Sequence, residues 1–317
     1  MKDFAMLNQV MGISVVMRRM PRQVLRTLWA GMPPGMMKTT LVYRSGRYIY
    51  HRYSREAAKV QSHYTHFMRN PPLLEVLAGT LSDHANESTL RVASIGCSTG
   101  AELYSTLYVL KAKRPDLNFI SHGLDISSGV VEVAARGVYR PDQAAAVAGL
   151  YTAGRAEVSS DDVEKLSGIV EALPDGSVRV WDSLRENITW LTADATDPMV
   201  AKLIGEQDIL IANNFMGPMD DGLAEKCLRN LMRLVTPGGY LLVDGIDLDV
   251  KMKVLKGSRF KPVLIRQDDI WLAEESKKGW PWLRWSREPL NRKERGWEIR
   301  YSVIFRLAGQ PNQPSNP

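Results

Sequence analysis

Cysteine is scarce in this chain of 317 residues, which contains only Cys97 and Cys227. Two cysteines cannot form the disulfide framework of a small secreted domain, and their separation is not that of zinc ligands. We therefore expect a protein of a reducing compartment, the cytoplasm. His63 and His66 could share one helix face, but no third ligand accompanies them, so we expect no metal site.

Long apolar runs are missing as well. The best early candidate, MLNQVMGISVVM over residues 6–17, is short and is interrupted by Asn8 and Gln9. This pattern favours neither a membrane-spanning helix nor a secretory signal, and we interpret the protein as soluble. Hydrophobic residues make up 44% of the chain, which is enough to build a substantial globular core.

Histidine is also rare, and this excludes one enzyme class. Gly96-Cys97-Ser98-Thr99-Gly100 fits the G-x-S-x-G pattern of a hydrolase nucleophile elbow, whose triad requires a histidine late in the chain. Of the five histidines, only His122 follows Ser98, and it lies inside a predicted strand. Ser98 is therefore not the nucleophile of an α/β-hydrolase.

Positive charge is concentrated at the N-terminus. Residues 1–60 hold 11 Lys or Arg and two acids, a net charge of +9, whereas the remaining residues carry a net charge of −3. Eight of the 14 methionines also lie within the first 37 residues. These shifts predict a basic appendage over 1–62, a main domain over 63–309 and a flexible tail over 310–317.

Within the appendage, apolar spacing predicts a helix over residues 4–31, and two alternating runs around Ser45-Gly46 predict a hairpin over 40–53. The appendage could be a lid over a ligand or an element that forms a homodimer. It could also attach to an acidic membrane or partner, or be a solvated helix face.

The main domain alternates apolar strands with helices, which predicts an α/β fold with a doubly wound, mostly parallel, Rossmann-like sheet. A helical pattern over 54–81 is broken at Pro71-Pro72, an insertion over 139–190 separates the second and third sheet units, and a final strand is predicted over 298–307. The predicted strands that form the sheet are STLRVASIG, NFISHGLDI, ITWLTADA, DILIANN and GYLLVDGI.

The glycine turn after the first strand is typical of a nucleotide-type ligand site, where the backbone approaches the ligand closely. It lacks the full G-x-G-x-x-G, and the chain has no phosphate-binding P-loop. S-adenosylmethionine fits better. Asp125, after the second strand, could accept the ribose hydroxyls, and Asp194, after the third, could accept the adenine amino group. Either acid alone would more simply be a helix N-cap.

These residues resemble the CheR-type S-adenosylmethionine-dependent methyltransferases, a class I methyltransferase family that esterifies glutamates of chemotaxis receptors. The resemblance covers about three-fifths of the chain. It rests on THFMRN (65–70), SIGCSTGAELYS (94–105), GLDISSGVVEVAARGVYR (123–140) and TADATDP (192–198), and it continues to about residue 245.

The resemblance implies that Thr65 and Arg69 lie over the cofactor from a helical segment, with Arg69 near its carboxylate and the transferred methyl. It implies further that Glu102 meets the ammonium, Asp125 the ribose, Asp194 the adenine and Asn214 the methionine arm. The full set of expected cofactor residues is Thr65, Arg69, Gly96, Cys97, Ser98, Gly100, Glu102, Asp125, Ile126, Asp194, Ala195, Asn213 and Asn214, and the product is S-adenosylhomocysteine.

Departures from the family concern the acceptor. The family's C-R-N-V-x-I-Y-F-D run is replaced by residues 212–220, in which Pro218 and Met219 replace the aromatic pair, and its G-H-S-E is replaced by DGIDLD. We therefore expect O-methylation of a small-molecule or specialised acceptor. The alternatives are a chemotaxis-type protein-glutamate methyltransferase with altered docking and a non-catalytic regulatory protein that binds the cofactor.

Methyl transfer needs alignment more than acid–base catalysis, because the sulfonium methyl is already electrophilic. A hydroxyl acceptor would use a base, for which Asp220, Asp221, His66 and His122 are candidates. His66, between Thr65 and Arg69 in the chain, is the best of them, and we expect His66 and Arg69 to be the catalytic residues. The stretch 279–297 mixes tryptophan with arginine and lysine. We interpret it as packing and pocket wall, not as a surface for nucleic acid.

Overall fold

The computed structural model describes residues 63–83, 88–140, 143, 147, 160–273, 288 and 290–309. The chain divides into two compact units. The larger contains Gln61–Gly217, Asp221–Glu274 and Leu290–Pro317, and the smaller contains Met1–Val60, Pro218–Asp220 and Glu275–Pro289. All elements given below belong to the larger unit. The helix over 4–31, the hairpin over 40–53 and the tail lie outside the described residues, and the domain boundaries stay a prediction.

The strands of the described residues are short to medium in length. In chain order they are β1 (Thr89–Ile95), β2 (Asn118–Asp125), β3 (Val138–Tyr139), β4 (Val170–Ala172), β5 (Val178–Val180), β6 (Ile188–Thr192), β7 (Gln207–Asn213), β8 (Val235–Asp244), β9 (Phe260–Pro262) and β10 (Ile304–Leu307).

Helices connect and cover these strands. In chain order they are α1 (Pro71–Gly79), α2 (Ala101–Lys113), α3 (Ser128–Arg136), α4 (Ser160–Lys165), α5 (Asp182–Arg185), α6 (Val200–Ile204), α7 (Asp221–Met232), α8 (Leu248–Leu255), α9 (Gln267–Ala273) and α10 (Trp297–Tyr301). A 3₁₀ turn over Thr80–Asp83 follows α1. Among the described residues, no helix has the length and apolar character needed to cross a lipid bilayer.

The main sheet has the strand order β6-β2-β1-β7-β8-β10-β9. β6, β2, β1, β7 and β8 run parallel, and β10 is antiparallel to both β8 and β9. The first strand, β1, lies inside the sheet. The chain then adds β2 and β6 on one side of β1 and returns to place β7 on its other side. This confirms the doubly wound, mostly parallel α/β fold. Ligands of such sheets bind where the strand order reverses, here at the carboxyl ends of β1 and β7.

The insertion between the second and third sheet units contains structure that the sequence pattern did not predict. β3, β5 and β4 form a separate antiparallel sheet. β4 and β5 are joined by a tight turn in which the Leu173 amide donates to the Ser177 carbonyl at 2.8 Å. The Val180 amide donates to the Gly137 carbonyl at 2.8 Å, which attaches this small sheet to the end of α3.

The helix predicted before Pro71-Pro72 is wrong over residues 63–70, and the two prolines begin a helix. α1 starts at Pro71, and residues 63–70 before it are not helical. The Asn70 side chain caps α1 by accepting from the Leu73 amide at 3.2 Å. Proline is favoured in the first helical turn, since the amides there have no partner within the helix.

The predicted strand over 298–307 is half wrong. Residues 297–301 form the helix α10, and only Ile304–Leu307 extend as β10. Neighbouring residues of a strand face opposite sides, whereas Arg300 and Tyr301 are both buried. The Arg300 guanidinium donates to Asp249 at 2.7 Å, and the Tyr301 ring packs edge-on against Trp271 at 5.2 Å. A helical turn allows both contacts.

A tryptophan packs between β6 and the start of α2. Trp190 on β6 is paired in register with Gly123 on β2, where an added Cβ would lie 2.2 Å from the indole. The indole also lies against Gly100, where a Cβ would be 2.8 Å away, and against the Tyr104 ring at 5.5 Å. Glycine at both positions therefore lets the indole pack directly beside the turn that follows β1.

Candidate functional site

The glycine turn after β1 has positive φ angles, which glycine adopts freely but which strain the backbone at Ser98. Gly96 has φ +69° and Gly100 has φ +88°, and Ser98 between them also has a positive φ of 51°. A Cβ at Gly96 would lie 2.7 Å from the Phe215 ring. Strain of this kind concentrates at ligand sites, where the surrounding structure holds it in place.

Asp125 holds this turn from the end of β2. Its carboxylate accepts from the Ser98 amide at 2.9 Å and from the Ser127 amide at 3.0 Å, and its side chain is 8% exposed. Ile126, the next residue, is 40% exposed at the carboxyl edge of the sheet. The sequence offered a helix-capping role for Asp125 but not this bond to the glycine turn, and its expected role toward a ribose stays a prediction.

The serine and cysteine of the turn are not nucleophiles in this arrangement. The Ser98 hydroxyl donates to the His63 carbonyl at 2.8 Å. Cys97 is buried, and burial together with the nearby charge of Asp125 raises the pKa of its thiol well above the ordinary value. Both side chains thus serve the fold of the turn.

Residues 63–70 lie against the turn and α2. Besides the bond from Ser98, the Met68 amide donates to the Ser105 hydroxyl at 2.9 Å, and Met68 has φ 51°. Thr65 and His66 are each 8% exposed, and His66 Nδ1 donates to the Phe67 carbonyl at 3.0 Å. Residues 63–70, expected to carry Thr65 and Arg69 on a helix, are thus irregular. Hydrogen bonds with the glycine turn and with α2 hold them in place.

A cleft opens where this segment meets the carboxyl ends of β7 and β8. Arg69, Glu102, Asn213 and Asn214 all line it. The Asn213 amide Nδ2 donates to Glu102 Oε1 at 2.8 Å, which links the end of β7 to the first turn of α2. Four residues predicted to bind the cofactor are therefore neighbours in space, although Glu102 and Asn213 are 111 positions apart in the chain.

The nucleoside side of the predicted site lies on the other side of β1. Thr192, the last residue of β6, is paired in register with Asp125, and the Ala193 amide donates to the Asp125 carbonyl at 3.0 Å. Asp194 follows in the loop, where its carboxylate accepts from the amide of Thr196 at 2.9 Å and from its hydroxyl at 2.8 Å. Ala195 belongs to the same loop. The two predicted acids therefore belong to adjacent strand ends.

Of the cleft residues that sequence reasoning missed, one is charged. Asp244 ends β8, is 4% exposed and lines the cleft with Arg69 and Asn213. Its signal in the sequence is the same as that of Asp125, an acid at the end of an apolar strand, here LLVDG.

The loops after β7 and β8 are in close backbone contact beside the cleft. The Asn214 amide donates to the Asp244 carbonyl at 2.9 Å, and Asn214 has φ 63°. A Cβ on Gly245 would lie 2.6 Å from Asn214 Cα, and one on Gly217 would lie 2.6 Å from the Gly245 carbonyl oxygen. These glycines fix the positions of Asn214 and Asp244.

The site has the chemistry that S-adenosylmethionine needs. The buried Asn213 Oδ1 lacks a hydrogen-bond partner among the described residues, so it can accept from a ligand. Glu102 and Arg69 supply opposite charges for a zwitterionic arm, and Asp125 supplies a carboxylate for a ribose. The residues therefore fit this cofactor.

Comparison with known proteins agrees with this site. Residues 63–251 match the family described as CheR methyltransferase, SAM binding domain. Chemotaxis protein methyltransferase 2 of Vibrio cholerae is 22% identical over 188 residues, which are 56% of this chain and 60% of that protein. Probable biofilm formation methyltransferase WspC of Pseudomonas putida is 27% identical over 184 residues, 56% of this chain and 40% of that protein. This chain thus spans about half the length of these relatives.

Among solved structures, an O-methyltransferase family protein from Burkholderia thailandensis is 14% identical over 65% of this chain and 42% of that chain, with a TM-score of 0.32. A TM-score and an identity this low give no information about function. The family match covers more than half of the residues and includes the glycine turn, both strand-end acids and the cleft. The chain therefore belongs to the CheR methyltransferase family and carries its S-adenosylmethionine-binding domain.

Proposed function

We propose that this chain is an S-adenosylmethionine-dependent methyltransferase that methylates an oxygen atom of its acceptor. The cleft is the main support for this proposal. It brings the charged side chains of Arg69 and Glu102 together with Asn213 and Asn214, next to the glycine turn. When bound, the cofactor supplies a sulfonium methyl that is already electrophilic. The protein then has to align the acceptor with that methyl and exclude water.

Each part of the cofactor has a residue of matching chemistry. Arg69 would hold the carboxylate of the amino-acid arm, and Glu102 its ammonium, since opposite charges in a partly buried cleft attract strongly. Asp125 would accept from the ribose hydroxyls while it keeps its bonds to Ser98 and Ser127. Asp194 would accept from the adenine amino group in the loop after β6.

For the acceptor, we favour a small molecule or another specialised group with an oxygen nucleophile. Pro218 and Met219 replace the aromatic pair of the family, so this chain lacks the aromatic side chains that its relatives have there for a chemoreceptor peptide. His66 does not belong to the cleft lining of the described residues, and its ring bonds to the Phe67 carbonyl. A role for His66 as a base stays a proposal, and a carboxylate acceptor would need none.

Methylation of a protein carboxylate is the second candidate. The names of the curated relatives favour it, since one is a chemotaxis protein methyltransferase and another a biofilm formation methyltransferase. The two candidates differ in the product, because a methyl ester on a protein releases methanol in base, whereas a methyl ether does not.

The test starts with calorimetry of the full chain with S-adenosylhomocysteine, for wild type and for Arg69→Met. Arg229→Met is the matched control, since Arg229 lies on the exposed face of α7 and pairs with Glu225 at 2.9 Å. We expect binding by wild type and by the control, and loss of binding in Arg69→Met. The proposal is wrong if the wild-type chain does not bind.

The second stage follows the label from cofactor with a tritiated methyl in an extract of the source organism. Label in the small-molecule fraction is the expected result. Label on protein that is released as methanol supports the second candidate. Binding without any transfer would leave a non-catalytic protein that senses the cofactor and would refute both enzymatic candidates.

A further inference from the structure

Three hydrogen-bond acceptors face the same cleft from three elements. Glu102 comes from the first turn of α2, Asn213 from the end of β7 and Asp244 from the end of β8. Asn213 and Asp244 are paired in register on neighbouring parallel strands, so their side chains leave the same face of the sheet about 5 Å apart. All three line the cleft, as does Arg69.

The orientation of the Asn213 amide points to a ligand. Its Nδ2 donates to Glu102 Oε1 at 2.8 Å, which turns Oδ1 away from that carboxylate. Asn213 is 6% exposed, and its Oδ1 has no hydrogen-bond partner among the described residues. A buried acceptor is stable only when some group donates to it, so the cleft is built to receive a donor.

Asp244 adds a second negative charge to this cleft. It is 4% exposed, and its Oδ1 accepts from the Gly245 amide at 2.8 Å, which fixes the direction of the carboxylate. The run that begins with it, DGIDLD, is one of the departures of this chain from its family. Its carboxylate therefore adds negative charge to the part of the cleft that Asn213 and Glu102 also line.

An ammonium group matches these three acceptors. It has three N–H donors, no acceptor and one positive charge, so it can donate to both carboxylates and to Asn213 Oδ1. The Arg69 guanidinium in the same cleft suits a carboxylate. Three acceptors beside one guanidinium are thus complementary to the α-amino-acid end of a ligand, and the side chains of Leu73 and Leu74 give its methylene carbons an apolar wall.

We propose that Asp244 completes a three-acceptor site, with Glu102 and Asn213, that holds the α-ammonium of the S-adenosylmethionine arm. This proposal rests on the proposed function, since it concerns the same cofactor. It assigns Asp244 to cofactor binding, so that the cleft selects for the charged amino-acid arm.

The test compares two probes that differ only in the arm. S-adenosylhomocysteine carries the ammonium, whereas 5′-methylthioadenosine has the nucleoside and the sulfur without the amino-acid group. Affinities are measured by calorimetry on the full chain in buffer with a chelator, for wild type, Asp244→Asn and Glu102→Gln. Asp247→Asn is the matched control, because Asp247 is equally buried at 4% but caps α8 by accepting from the Asp249 and Val250 amides.

We expect Asp244→Asn and Glu102→Gln to weaken S-adenosylhomocysteine binding about 10-fold or more, since each removes a charged partner of the ammonium. Their affinity for 5′-methylthioadenosine should stay within about twofold, and the control should leave the ratio of the two affinities unchanged. Equal weakening of both probes, or no change for either, in Asp244→Asn overturns the proposal. If wild type binds neither probe, the proposed function fails first.

A second measurement needs no variant. The deaminated analogue of S-adenosylhomocysteine lacks the ammonium that would donate to Glu102, Asp244 and Asn213 Oδ1, so wild type should bind it at least about 100-fold more weakly than the parent. Similar affinities for the two compounds would overturn the ammonium site even if the Asp244 variant did not fold. The parent compound alone tests the proposed function, so the two failures can be told apart.

Discussion

Replacing Asp125 tests how the protein couples its fold to its cofactor site. The carboxylate accepts one buried amide, from Ser98 in the glycine turn, and one partly buried amide, from Ser127 before α3. A hydrogen bond to a charged group contributes about 1.5 to 3 kcal/mol when buried, and a more exposed one about 1 kcal/mol. Asp125→Ala should therefore lower the free energy of unfolding by about 2.5 to 4 kcal/mol.

Asp125→Asn separates the two bonds. The amide oxygen can still accept from one backbone N–H, but the amide nitrogen then faces the other, so about 1 to 3 kcal/mol is lost. Asp175→Asn is the matched control. Asp175 also accepts from an amide two residues on, that of Ser177 at 2.9 Å, but it is exposed, so its replacement should cost less free energy of unfolding than that of Asp125.

Unfolding in urea, followed by circular dichroism, measures the three changes, and calorimetry with S-adenosylhomocysteine measures binding. Both Asp125 variants should bind more weakly, because the ribose acceptor and the geometry of the glycine turn are lost together. The reasoning is refuted if Asp125→Asn and Asp175→Asn cost the same, or if Asp125→Ala costs less than about 1 kcal/mol.

Three further predictions follow from packing and titration. Gly123→Ala should lower the free energy of unfolding in urea by about 2 kcal/mol, since its Cβ would lie 2.2 Å from Trp190. Gly129→Ala meets nothing within 4 Å and should stabilise helix α3, so equal effects of the two variants would contradict the packing of Trp190 against Gly123. Burial lowers the pKa of His122 below its ordinary 6.5, so below that pH the unfolded state binds more protons than the folded state. Between pH 7.5 and 5.5, the free energy of unfolding should therefore fall more for wild type than for His122→Gln. Because burial raises the pKa of the Cys97 thiol, iodoacetamide at pH 8 should label it only after unfolding, and rapid labelling of the native protein would show that the thiol is accessible.

The cofactor half of the site could be predicted because its signals are local. A glycine turn after an apolar strand, and acids directly after two further strands, follow from short stretches of chain whose positions are set by the parallel sheet. Asp125 and Asp194 therefore come out on adjacent strand ends. Their roles toward ribose and adenine stay predictions.

Local reading failed where packing partners are distant in sequence. Residues 297–301 turn into a helix because Arg300 and Tyr301 contact Asp249 and Trp271. The helix start at Pro71, by contrast, has a local signal, the Asn70 cap, which the sequence analysis did not use. The three strands of the insertion are too short to show an alternating pattern, so pairing across the small sheet defines them.

By itself the sequence determined the fold class and the family and named candidate residues for the cofactor site, since hydrophobic periodicity and short motifs need only neighbours along the chain. Only the tertiary structure decided that Asp244 stands beside Asn213 and that Asn213 donates to Glu102 across 111 residues. The physical reason is register: which side chains meet at a sheet edge depends on how strands pair, and that pairing is set by the packing of the whole domain.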